Sequence, residues 1–85
     1  MEIKLSAFEW AKEIENKFIL FFELFDMDIV LSARSIVLRN EITLYIKGPV
    51  GVDLKEPAIR KAIKSAMNMA SRGCPYEYTY VIEEE

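Results

Sequence analysis

Residues Phe18 to Phe25 read Phe-Ile-Leu-Phe-Phe-Glu-Leu-Phe, a block with a single acid at the end of an otherwise amphipathic helical pattern. A helix on the surface of a small protein needs one apolar stripe, so a segment that is apolar all round has to be covered all round. A chain of 85 residues builds one core, and at that size only roughly 60% of the unfolded surface is buried on folding. Little is left to wrap a helix completely. The block therefore points to a partner, most simply a second copy of the same chain, with Phe18, Phe21, Phe22, Leu24 and Phe25 as the expected contact.

Composition places the chain among folded globular proteins, with residues 1–85 as a single domain. At 52% hydrophobic and 29% charged it is too apolar for disorder and too charged for a membrane protein. The aromatic block is shorter than the ~20 residues a bilayer demands, and Glu23, Asp26 and Asp28 interrupt or flank it, so no transmembrane helix is expected. Met1 to Leu5 reads as a strand rather than a signal peptide, which makes the cytoplasm the expected compartment. The absence of glutamine and the richness in Glu, Lys and Ile are compatible with a thermophilic source.

Period and punctuation give the elements. Glu2 to Leu5 suits a first strand, and Ser6 with Glu9 forms a capping box that opens a helix from Ala7 to about Phe25. In its first half Trp10, Ala11, Ile14 and Phe18 share a face opposite Lys12, Glu13, Glu15 and Asn16. From Met27 to Lys47 the period becomes two, with Arg39-Asn40 as a hairpin turn. That register pairs Leu38 with Glu41 and gathers Ile29, Leu31, Ala33, Ser35, Val37, Ile42, Leu44 and Ile46 on one inner face. Gly48-Pro49-Val50-Gly51 breaks the sheet. Pro57 opens a second helix to about Ser71, with Ile59, Ala62, Ile63, Ala66, Met67 and Ala70 inward. Gly73 and Pro75 end it, and Tyr76 to Ile82 forms the last strand. The order is βαββαβ, an α+β layout of ferredoxin-like type with two helices packed on an antiparallel sheet.

Few residues offer chemistry. Without histidine and with one cysteine, the chain lacks an internal disulfide and the commonest zinc ligand, and neither a metal nor another cofactor is expected. Glu13 and Lys17 have the spacing of an ordinary helix ion pair, and Asp26 and Asp28 suit the end of the apolar helix. The Gly48 to Gly51 loop lacks the Gly-Lys-Ser/Thr ending of a phosphate loop. Tyr76, Tyr78 and Tyr80 alternate along the last strand, where aromatics pack against a neighbouring layer or stack a ligand. Arg60, Lys61 and Lys64 gather on the second helix and are the residues an anion would meet. A net charge of -3 and the lack of an RNP-type run weigh against nucleic acid. Cys74 is the one nucleophile, placed at a helix C-terminus, the end opposite to the one that activates thiols.

The stretch Ala58-Ile59-Arg60-Lys61-Ala62-Ile63-Lys64-Ser65-Ala66, followed by Cys74-Pro75-Tyr76 before a strand, resembles the C-terminal half of OsmC-type organic hydroperoxide reductases. The resemblance implies half of an OsmC-like fold as an alternative architecture, with Cys74 at the position of the resolving thiol. It also implies a hydrophobic central helix buried in a dimer. A peroxide-attacking cysteine would lie in the helix that Ala7 to Phe25 represents, and that helix has none, so on this reading peroxidase chemistry is lost.

The sequence thus leads to a small interaction or small-ligand-binding module, noncatalytic and homo-oligomeric through the apolar end of its first helix, with an unidentified protein partner left open. A thiol redox protein using Cys74 is one alternative. A nucleic-acid binder using the basic second helix is another.

Overall fold

The computed structural model describes residues 5–83. Helix α1 (Ala7–Glu23) opens on the expected capping box, in which the Ser6 hydroxyl accepts from Glu9 N–H at 3.2 Å and Glu9 Oε1 accepts from Ser6 N–H at 3.0 Å. It ends in a tightened turn, where Leu24, Phe25 and Asp26 N–H each donate to the carbonyl three residues back. Asp26 and Asp28 then adopt φ of 52° and 56°. This left-handed backbone suits Asp better than most side chains and turns the chain away from the helix axis.

Strands β1 (Ser32–Leu38) and β2 (Glu41–Lys47) form the hairpin in the expected register, Leu38 opposite Glu41 and Val37 opposite Ile42. Arg39 and Asn40 both have positive φ, 51° and 62°, as a two-residue turn matched to strand twist requires. The first strand of the hairpin begins later than its alternation suggested. Met27 to Leu31 is irregular, yet Leu31 is still buried and Val30 still faces out.

Helix α2 (Pro57–Ala70) buries the predicted stripe of Ile59, Ala62, Ile63, Ala66, Met67 and Ala70. Strand β3 (Tyr78–Ile82) follows and pairs directly with β2, parallel, with Ile42 opposite Tyr78, Leu44 opposite Tyr80 and Ile46 opposite Ile82. The sheet is therefore mixed, in the order β1-β2-β3, which corrects the expected antiparallel sheet. The physical reason is the α2 crossover, which returns the chain to the end of the sheet where β2 began and so makes the next strand parallel. A split ferredoxin-like arrangement would place another strand between these two. The segment expected to form it, residues 2–5, falls outside the described residues except for Leu5, which is not in a strand. The architecture is an α+β fold with element order α1-β1-β2-α2-β3.

Both helices cover one face of the sheet. The core between the layers contains Ile14, Phe18 and Phe22 from α1, Ile42, Leu44 and Ile46 from β2, and the α2 stripe. A shortest dimension of 16 Å admits these two layers and no third. Among the described residues nothing covers the far face of the sheet, which carries Arg34, whose guanidinium lies 5.4 Å from the Tyr45 ring centroid and 3.3 Å from Glu83.

Candidate functional site

The aromatic block divides between inside and outside. Phe18 and Phe22, one turn apart, are buried with ring centroids 6.2 Å apart, and they close the core beneath α1. Their assignment to a partner contact is corrected here, because the chain's own sheet and second helix already cover them. Phe21 is half-buried against the same core. Leu24 is 76% exposed and Phe25 lies at the helix end with 37% of its surface open.

Leu20, 62% exposed, joins this outer set although the sequence reading did not single it out. The signal was present. Glu13, Lys17, Leu20 and Leu24 form one stripe along α1, polar where Glu13 and Lys17 pair at 3.4 Å and apolar one turn later. Leu20 also borders an open groove of about 470 Å³ between α1 and the edge of β1, lined by Ile19, Leu31 and Ala33 with Glu15, Asn16 and Ser32 at its polar margin. Val30, 86% exposed, stands next to Leu31 in the chain. The result is an apolar shelf on the last turns of α1, where Leu20 and Leu24 stand one turn apart beside this groove.

A second feature lies on the opposite side of the helix layer. Pro57, Arg60, Lys61 and Lys64 occur at helical spacing on α2 and border a shallow depression of about 350 Å³ that Tyr80 completes. The fold thus brings the predicted anion-binding residues against one of the predicted stacking tyrosines, a pairing that sequence distance hid. Tyr78 and Tyr80 point toward the helix layer and Tyr78 is the more exposed. Tyr76 stands apart from them. It precedes β3, and its hydroxyl donates to the Leu5 carbonyl at 3.1 Å.

Cys74 is half-buried in the turn after α2, and its thiol is 3.6 Å from the Tyr76 carbonyl. The Gly48 to Gly51 loop, with Asp53, Lys55 and Glu83, borders a smaller hollow of about 240 Å³, in which Asp53 Oδ1 accepts from Lys55 N–H at 2.9 Å. Among the described residues no three His, Cys, Asp or Glu side chains come together, and no helix is long and apolar enough to cross a membrane. Comparison with protein-family models, with curated proteins and with solved structures finds no match to this chain.

Proposed function

We propose that this protein is a noncatalytic interaction module that acts as a homo-oligomer, joined through the apolar shelf at the end of α1. The observation that carries this reading is the exposure of Leu20 and Leu24, at 62% and 76%, one turn apart beside an apolar groove. Single exposed apolar residues are ordinary, but a contiguous set with a groove marks a contact surface. Covering a Leu, Val or Phe side chain fully contributes ~1.5–3 kcal/mol. Scaled by their exposures, Leu20, Leu24 and Phe25 supply about 3–5 kcal/mol per protomer. A two-fold contact doubles that figure, and association costs ~4–15 kcal/mol. The doubled gain, about 5–10 kcal/mol, lies within the range of that cost, which suits a weak, concentration-dependent association.

The test is sedimentation equilibrium of the wild-type chain and of the double variant Leu20→Glu/Leu24→Glu. The wild type is expected above its single-chain mass of 9.9 kDa, and the variant at that mass with an unchanged circular dichroism spectrum. Wild-type protein that stays at its single-chain mass at about 1 mM overturns the proposal.

A further inference from the structure

Among the described residues, β3 is an edge strand with an open side. Ile42 N–H donates to the Glu77 carbonyl at 2.9 Å and Glu83 N–H donates to the Ile46 carbonyl at 2.8 Å, so the odd-numbered residues of this segment direct their backbone groups at β2. Alternate residues of a strand point these groups in opposite directions. The N–H and C=O of Tyr78, Tyr80 and Ile82 therefore face away from the sheet. The other edge is treated differently, since Glu15 reaches from α1 to accept the Ser35 N–H of β1 at 2.9 Å. Open strand edges template pairing, and proteins commonly block the ones they do not use. Among the described residues, one edge is capped at Ser35 and the other is not capped.

We infer that β3 accepts an extended acidic peptide as a fourth strand. Backbone bonds to Tyr78, Tyr80 and Ile82 hold it, and carboxylates at alternate peptide positions face Arg60, Lys61 and Lys64. The geometry follows from the register. Tyr78, Tyr80 and Ile82 lie on the helix side of the sheet with Ile42, Leu44 and Ile46. A strand added ~4.8 Å beyond β3 places every second side chain on that same side. There it meets the basic flank of α2, which shares a depression with Tyr80. None of the ion pairs among the described residues involves Arg60, Lys61 or Lys64.

Other occupants fit less well. A second copy of β3, paired antiparallel about Tyr80, opposes Glu77 to Glu83 and brings two basic α2 flanks together, and like charges set opposite are destabilising. A nucleic acid offers phosphates but no alternating N–H and C=O groups, and the chain carries a net charge of -3. An acidic strand satisfies the open backbone and the cations together.

The test uses fluorescence anisotropy with a fluorescein-labelled octapeptide of alternating Glu and Val. The controls are the same peptide with Lys for Glu, and two versions N-methylated at every second residue in either phase. The Glu peptide is expected to bind at least about tenfold more tightly than the Lys peptide, and methylation in one phase only is expected to abolish binding. The variant Arg60→Glu/Lys64→Glu is expected to reverse the preference. Equal binding of the Glu and Lys peptides, indifference to methylation in both phases, or tighter binding of an oligothymidine probe overturns the inference.

Discussion

Replacing Glu15 by alanine removes a side chain that ties the first helix to the edge of the sheet. Its Oε2 accepts both the backbone N–H and the hydroxyl of Ser35, each at 2.9 Å, while its Oε1 lies 3.8 Å from Lys12 Nζ. The carboxylate is 21% exposed, so its bonds are partly shielded from water, whereas Lys12 is mostly solvated. A hydrogen bond to a charged group contributes ~1.5–3 kcal/mol and an exposed ion pair ~0–1 kcal/mol. Some water reaches the vacated groups, which puts the loss for Glu15→Ala at about 2–4 kcal/mol, a large part of the ~5–15 kcal/mol of a typical domain. Glu15→Gln keeps an acceptor without the charge and is expected to lose about half as much. Ser35→Ala deletes only the hydroxyl donor and should cost about 1 kcal/mol, most of it absent when Glu15 is already alanine. Urea unfolding of the four members of this double-mutant cycle, with m-values compared, gives the coupling directly. A loss under about 0.5 kcal/mol for Glu15→Ala, or additive effects of the two substitutions, would refute the assignment. Light scattering adds a second readout, because uncovering the Ser35 N–H reopens the β1 edge and is expected to raise association with concentration.

Two further substitutions probe the division of the aromatic block and the hairpin turn. Phe18→Ala should cost ~3–5 kcal/mol by urea unfolding, because the ring is fully enclosed, while Leu24→Ala at 76% exposure should change the stability of the single chain by less than ~0.5 kcal/mol. Equal losses would place both residues in the same environment and contradict the packing. Arg39→Asn introduces a side chain that tolerates the positive φ found there and is expected to raise stability by about 0.5–1 kcal/mol in thermal or urea unfolding. A destabilised Arg39→Asn would mean that the guanidinium makes a contact worth more than the backbone strain.

Elements whose chemistry is local could be read from the chain alone. Ser6 and Glu9 mark the start of α1 because a capping box involves residues three apart. The register of the β1-β2 hairpin follows from Arg39-Asn40 and the alternation around it, since a slip of one residue would put Ile42, Leu44 and Ile46 in water. The inward stripe of α2 is likewise a matter of helical period. What the order of residues could not supply was which surfaces meet. Helical period sets Phe18 and Phe22 on the face of Ala11 and Ile14 and sets Leu20 and Leu24 on the stripe of Glu13 and Lys17, but only the placement of α1 on the sheet decides that the first pair is covered by this chain and the second left open. The parallel pairing of β3 with β2 depends on where a crossover helix returns the chain, and Glu15 with Ser35, or Tyr80 with Arg60, become neighbours only through that packing. Periodicity records which face of an element is apolar, whereas the choice of what covers that face is made by all the elements at once.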